Sequence, residues 1–525
     1  MSIPSISGSG AFLSSLLLTQ KNQLDEKTIQ FTTGKVSQTY AGLGEERITS
    51  LKMQQEVTVA NAHLEAATNA GLQIEQLGKT LEQMEKLRSD AVTAINPNNY
   101  QLTTEGETTS QATTRIMTLE TISQLNTNVG GYYLYGGKNA VDAPVASFEK
   151  IMDGTAGKIG LKQMMASYED AHLGADGSGR TTVSSDVSGA AARATVAQNS
   201  TGPFGYQIVG ANSFGSGFAT AFSAADLTDP MAPVPAKASV DVTGTVKAGD
   251  FVAFDVALPN GKRTTVKLEA ADGRANGYGS FAISKAADPL QARKETAQNI
   301  ADLLEKTLKQ VGATELKAAA DSQAGDEFFG LYDKSRSPQE PRLPKADASG
   351  YEAAGSKVMP WYTGYDGPGT PRSDKEVHVD KHLTVQFGAR ANEEPFARQL
   401  KNLSVFVAAD FTADVEGDKG SEARAEQYYN ALASETDRNL SVAESKISGV
   451  RSVATEISVA RTTIQSAETR LKQRTQSYLN LQQKIENVDK MEVAVQLSEM
   501  LNNLQASYKM TSSILNLNLH NYLRS

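Results

Sequence analysis

The chain has 525 residues, with 51 Lys and Arg against 60 Asp and Glu, a formal charge of -9 and no cysteine. Disulfides, thiolate metal sites and cysteine nucleophiles are therefore excluded, and no basic surplus exists to neutralise nucleic acid or an anionic membrane. The length predicts about three or four domains, and an aromatic content of 6% with one Trp suits long helices and polar β-modules better than a large enzyme core.

Residues 1–10 contain no basic side chain and are rich in Ser and Gly, so the charged region of a cleavable secretory signal is missing. No apolar run approaches the roughly 18 residues of a membrane span. Leu13, Leu17, Gln20, Leu24, Lys27 and Phe31 then recur at steps of four and three, predicting a short amphipathic helix that Thr33-Gly34-Lys35 stops. A loop over 35–46 leads to a second helix over 47–95, with Ile74, Leu77, Leu81, Met84, Ala91 and Ile95 on one face and Arg88 at the gap. Asn96-Pro97-Asn98-Asn99 ends it, because the residue before a proline is pushed out of the helical region. A third helix over 110–129 carries Ile116, Leu119, Ile122, Leu125 and Val129.

Paired glycines bracket Tyr132-Tyr133-Leu134-Tyr135, which reads as a short strand. As a stacking platform for bases or sugars these tyrosines need basic neighbours, and Lys138 is the only charge nearby, so the reading is structural. Over 145–418 the composition turns Gly-, Thr- and Asp-rich. Val240, Val242, Val252, Phe254, Val256, Val266 and Leu268 alternate, with Pro259-Asn260-Gly261 as a hairpin turn. Helices are expected at 292–311 and 395–409, a strand at 378–387, and linkers at 230–235 and 338–344.

Near the C-terminus every seventh residue is apolar: Ala443, Val450, Ile457, Ile464, Leu471, Tyr478 and Ile485. Such a period keeps one seam of a helix against a partner, the pattern of a coiled coil, and residues 440–485 as helix would span about 65 Å. The matching seam on the second helix is Ile74, Leu81 and Met84. The phase breaks at Asn487-Val488-Asp489, where Asp489 with Glu492 resembles a capping box. In the last helix Leu497, Leu501, Leu504, Tyr508, Leu515 and Leu519 mark a wide apolar face, which with Leu13, Leu17, Leu24 and Phe31 forms the expected assembly interface.

The search for chemistry returns little. His378 and His382 flank Asp380, but on a strand positions i and i+4 lie about 13 Å apart and cannot share an ion. The loop from Gly174 to Arg180 lacks the Lys-Ser/Thr of a phosphate loop, no nucleophile elbow occurs, and His63, His172 and His520 are scattered. Glu393-Glu394 reads as solvated, and a glycosidase-like acid pair made by the fold stays open. The expectation is no enzyme, no catalytic, metal or cofactor-binding residue, and no cofactor.

Three stretches carry a family resemblance: Phe31-Thr32-Thr33-Gly34-Lys35-Val36, the bracketed Gly131-Tyr132-Tyr133-Leu134-Tyr135-Gly136-Gly137, and Glu486-Asn487-Val488-Asp489 with Val493-Ala494-Val495-Gln496-Leu497-Ser498. Together they resemble the bacterial flagellins over about the first 145 and last 105 residues. The resemblance implies a fold mainly α at the termini, with a long coiled-coil rod from both chain ends and a β-rich α+β central insert. It divides the chain into a terminal assembly segment (1–46 plus 487–525), a rod (47–145 plus 419–486) and two outer modules (146–330 and 331–418). It implies a structural flagellar subunit at the hook-filament junction or in the filament, secreted unfolded through the flagellar export apparatus to an extracellular location. The implied partners are itself, other axial proteins, the export apparatus and a chaperone, with no nucleic acid and no membrane insertion. The rival is a secreted coiled-coil oligomer whose insert binds a ligand.

Overall fold

Gly34 takes φ +70°, the left-handed conformation that closes a helix without a Cβ penalty, and so ends α1 (Ile6–Thr33) of this computed structural model. The structure describes residues 6–229, 232–273, 279–333, 335–336, 339–415, 417–442 and 449–522, excluding the side chains of 6–11, 13, 188, 442 and 514–522. After a 3-10 segment come α2 (Arg47–Ala94), α3 (Thr109–Leu125), a small hairpin of β1 (Asn128–Val129) and β2 (Tyr132–Tyr133), α4 (Phe148–Asp153) and α5 (Leu161–Leu173). The strands β3 (Thr181–Ser188), β4 (Ala191–Gln198), β5 (Gln207–Phe214), β6 (Phe218–Ser223), β7 (Lys237–Val242), β8 (Phe251–Ala257), β9 (Arg263–Ala271) and β10 (Ser280–Ala282) follow. Next, α6 (Pro289–Val311) passes through a π-helical turn into α7 (Lys317–Phe329), followed by β11 (Arg342–Pro344), β12 (Tyr351–Ala353), β13 (Glu376–Asp380) and β14 (Leu383–Gln386). The chain closes with α8 (Glu394–Ala408), α9 (Lys419–Val442), α10 (Val450–Glu486) and α11 (Lys490–Tyr522).

Packing divides these elements into two compact units. Residues 1–72, 377–385 and 461–525 form the first, and residues 73–376 and 386–460 the second. In the second unit, two four-stranded sheets run in the orders β3-β4-β7-β6 and β10-β9-β8-β5. Their inward residues follow the period of two that a half-buried strand needs: Ala192, Ala194 and Val196 on β4, Ala238, Val240 and Val242 on β7, and Val252, Phe254 and Val256 on β8 are all buried. Gly261, at φ +77°, supplies the turn between β8 and β9. α6 begins at an Asp288 cap whose carboxylate accepts the Gln291 N–H at 2.9 Å. It lays Ala297, Ile300, Ala301, Leu304 and Leu308 into the same core, against β3 and β4.

The helices of this unit pack as a cluster. α8 is buried almost all round, and its polar side chains are only partly satisfied: some bond internally, while Arg398 Nε, Gln399 Oε1 and Ser404 Oγ are buried without a partner. Gln399 Nε2 donates to Met84 O at 3.0 Å, and Lys401 Nζ to Ser322 Oγ at 2.8 Å. α7 lies so close to α8 that a Cβ on Gly325 would stand 2.5 Å from Val405 Cγ2.

This arrangement corrects the expected fold class. The fold is mixed α+β with helices packed on sheets and on several other helices, in place of a coiled-coil rod with a separate β-rich insert. The apolar stripe of α2 from Ile74 to Met84 belongs to the same compact unit as both sheets. Around it Thr80 Oγ1 meets the Tyr135 hydroxyl at 2.6 Å and Gln83 donates to Glu120 of α3 at 2.8 Å. A seam covered from several directions does not require a single partner helix. α3 corrects a second expectation. Ile122 and Leu125 are buried as expected, but the rest of its buried face is Ser110, Gln111, Thr114, Thr118 and Thr121, whereas Ile116 and Leu119 are exposed. Thr114 and Thr118 turn their hydroxyls back to the carbonyls four residues earlier, at 2.7 and 2.8 Å. Small residues that satisfy their own polar atoms let neighbouring elements approach closely.

Candidate interaction surface

Within the first unit α1 and α11 pack side by side. They meet at a joint that fixes them antiparallel, because α1 ends and α11 begins there. Val36 N–H donates to Glu486 O at 2.7 Å and Val488 N–H to Gly34 O at 3.1 Å. Lys35 Nζ reaches Glu486 Oε2 at 3.0 Å, and the Ser50 hydroxyl donates to Glu486 Oε1 at 2.7 Å. Burial works against charge on Glu486, but the bonds from Ser50, Gln482 and Lys35 outweigh it and hold the carboxyl below its ordinary range. Asp489 Oδ1 accepts from Met491 N at 2.9 Å and Glu492 N at 3.4 Å, the cap expected at this position.

The expected interface residues occupy graded positions on this pair. Leu17, Leu24, Leu497 and Leu504 are half-buried, while Phe31, Leu501 and Tyr508 are exposed. The side chains of Leu13, Leu515 and Leu519 lie outside the described residues. Sequence reasoning passed over a second set: Phe12, Leu18 and Ile29 on α1, and Met491, Val495 and Met510 on α11, all exposed, with Met491 at 78% and Phe12 at 68%. The signal was present as apolar residues recurring off the main stripe. Two helices in contact cover one stripe each, so a second stripe stays in water.

Of the expected seam, Ile74, Leu81, Met84, Val450 and Ile457 are buried in the second unit. Ile464 and Leu471 are buried in the first, where Tyr478 and Ile485 are half-buried. Ile464 lies against α2, since a Cβ on Gly71 would stand 3.8 Å from its Cγ2. Ala443 lies outside the described residues.

The residues weighed for chemistry do not converge. His378 sits on β13 with Nδ1 2.8 Å from Thr384 Oγ1, and its carbonyl accepts from His63 Nδ1 at 2.9 Å. Asp380 accepts the Lys381 N–H at 2.8 Å and reaches Arg474 at 3.3 Å. Among the described residues no three His, Asp or Glu side chains are placed to hold a metal ion. The loop after α5 is a polar turn in which Asp176 Oδ1 accepts from Ser178 N at 3.1 Å and Ser178 Oγ at 2.8 Å. Glu393, expected to be solvated, is instead mostly buried and paired with Arg372, and accepts the Arg390 N–H at 2.9 Å.

Burial displaces the titration of several groups in the second unit, among them Asp321 and His172. Burial, then the neighbouring Glu169 carboxyl, pushes Asp321 well above the carboxylate range, and Tyr428 donates to its Oδ2. Asp321 is wholly buried, so no substrate reaches it. Burial lowers His172 to about 4. The Gly205 N–H donates to its Nδ1 at 3.1 Å, so its proton sits on Nε2, 2.8 Å from Gln323 Oε1. A cleft of about 380 Å³ in the second unit is lined by Phe329, Trp361, Tyr362, Asp366 and Asn392. Asn392 already donates to Asp366 at 2.6 Å, and the cleft's lining includes no His, Ser or Cys to act as base or nucleophile.

No family model matches the chain, and no curated protein is significantly similar to it. These findings, with the α+β packing, overturn the resemblance to the flagellins and with it the flagellar, motility and coiled-coil descriptions of the chain. The resembling stretches have local physical reasons. Gly34 closes a helix, Leu134 and Tyr135 are fully buried, and Asp489 caps α11. Each would be required in any chain folding this way. The export route rested on the resemblance and loses that support. Among the described residues no helix is long and apolar enough to cross a membrane.

Proposed function

We propose that the chain is a non-enzymatic subunit that associates with a second copy of itself through the open face of the α1/α11 pair. One observation carries this reading: a second apolar set, Phe12, Leu18 and Ile29 on α1 and Met491, Val495 and Met510 on α11, is left exposed among the described residues. Charge favours a like partner. α1 holds Lys21 and Lys27 against Asp25 and Glu26, and α11 holds Lys490 and Lys509 against Glu492 and Glu499. A balanced surface of this kind does not repel its own copy, whereas a strongly charged partner would find nothing to pair with.

Sedimentation velocity over a concentration series tests the proposal. The full chain is expected to self-associate, and the pair Leu18→Glu with Val495→Glu to associate markedly more weakly, with an unchanged circular dichroism spectrum. A parent chain that remains monomeric up to its solubility limit overturns the reading, as does a double variant that associates as strongly as the parent.

A further inference from the structure

Residues 194–225 contain no Asp, Glu, Lys or Arg, in a chain where these make up 21%. This run includes β6, the outer strand of its sheet, hydrogen-bonded only to β7. Thr243 N–H donates to Gly217 O at 2.9 Å, one step before the first paired residues, Phe218 and Val242. Backbone groups of an antiparallel strand alternate in direction, so Phe218, Thr220 and Phe222 turn their N–H and C=O toward the free edge. Among the described residues no backbone hydrogen bond from another element reaches that edge. Ala219, Ala221, Phe222 and Ser223 are exposed.

Open edges in native proteins are guarded by charges, proline, bulges or a covering element. β3, at the opposite edge of this sheet, carries Asp186 and packs against α6. β6 carries no charge and no proline, and β5, which packs against it, gives no backbone hydrogen bond to its free edge among the described residues. Its sequence Phe218-Ala219-Thr220-Ala221-Phe222 also reads the same in both directions about Thr220. A two-fold contact sets each residue against its mirror position on the second copy. Antiparallel pairing centred on Thr220 therefore places Phe218 opposite Phe222 of the second copy and Ala219 opposite Ala221, with every free backbone group matched. Charge on β6 near such an axis would meet its own copy, and β6 carries none; Asp241, across from Ala219 on β7, is already paired with Arg193.

We propose that β6 is a homodimerisation edge. Two copies pair β6 with β6 about Thr220, joining two four-stranded sheets into a continuous one. This contact belongs to the second unit and is independent of the α1/α11 face.

Because the chain has no cysteine, Thr220→Cys provides a single thiol on the proposed axis. Residues directly opposite there have Cα atoms about 5.5 Å apart, within disulfide reach. The two copies of Ser223→Cys would stand about 20 Å apart at ~3.3 Å per residue. Both variants are made in the Leu18→Glu, Val495→Glu background, so that association through the helices does not bring the thiols together. Mild oxidation is expected to convert most of Thr220→Cys to covalent dimer and little of Ser223→Cys. Equal yields, or none from Thr220→Cys, overturn the proposal. In the same background, Thr220→Lys and Thr220→Glu are each expected to be monomeric and their equimolar mixture dimeric by sedimentation. A mixture that stays monomeric while both variants keep the parent's circular dichroism also overturns it.

Discussion

The two units differ in how completely each covers its own apolar surface. In the second, the large side chains Tyr135, Phe254, Phe281, Phe396 and Phe406 are almost wholly buried, and the buried cations Lys401 and Arg390 have acidic partners at 3.0 and 2.5 Å. In the first, Phe12, Leu18, Met491 and Met510 remain exposed on helices that already contact each other. A unit that closes its own core behaves as a folding domain. One that leaves a stripe open depends on a partner to complete the burial, at ~25 cal/mol per Å² covered.

The sharpest way to break this comparison is to truncate one side chain in each unit. Phe254→Ala removes a fully buried ring from between the sheets and is expected to cost about 3–5 kcal/mol in urea unfolding. Leu18→Ala, on the exposed stripe, should change monomer stability by no more than about 0.5 kcal/mol while weakening self-association. Similar unfolding costs for the two would erase the distinction.

The acid limb of stability gives the next largest effect. His172 titrates near 4 when folded, against 6.5 as its ordinary value. The unfolded chain therefore takes up its proton first as pH falls, and stability drops between those values by roughly 3 kcal/mol. In His172→Gln that share of the drop should vanish, whatever the variant's stability at pH 7. An unchanged acid limb would show that His172 is protonated in the fold.

How much of this was legible in sequence depended on what covers each element. The helices at 47–94, 289–311 and 394–408 show their period because each has an apolar stripe. α7 was missed because its contacts are made by Ala318, Ala319, Ala320, Ala324 and Gly325, small residues that leave no periodic signal while allowing α8 to approach. α5 hides beside a glycine-rich loop although Met164, Met165, Tyr168 and His172 share its buried face. The seven-residue period of α10 was real, but periodicity does not reveal how many elements cover a stripe, and that number decided the fold class. On the α1/α11 pair the expected stripe is half-buried at Leu17, Leu24, Leu497 and Leu504 and exposed at Phe31, Leu501 and Tyr508. The open stripe beside it was not legible, because only tertiary packing separates a covered leucine from an uncovered one. Likewise the symmetry of residues 218–222 is plain in the sequence, and their place at a free edge is not.

Two smaller effects sharpen the contrast. Thr108 closes a capping box on α3, its hydroxyl accepting the Gln111 N–H at 3.1 Å while Gln111 Oε1 accepts the Thr108 N–H at 2.9 Å. Thr108→Ala should lower the second unit's stability by about 1–2 kcal/mol, read from its urea midpoint. Lys35, half-exposed in its pair with Glu486, should contribute least, with Lys35→Ala costing no more than about 0.5 kcal/mol in the same measurement. A larger loss would show that the α1/α11 joint is held by charge more than by its backbone bonds.

The first unit is assembled from residues 1–72, 377–385 and 461–525, whereas residues 73–376 of the second are one unbroken stretch. This order has a consequence in time. α1 is synthesised long before its partner α11, which begins only at Lys490. At ~5–20 residues per second α1 waits roughly 20–90 s after its own completion, long enough for the intervening sheets to form while it stands alone. During that wait the apolar residues of α1, those α11 will cover and those it will not, present a persistent apolar target to whatever protein keeps the nascent chain from aggregating.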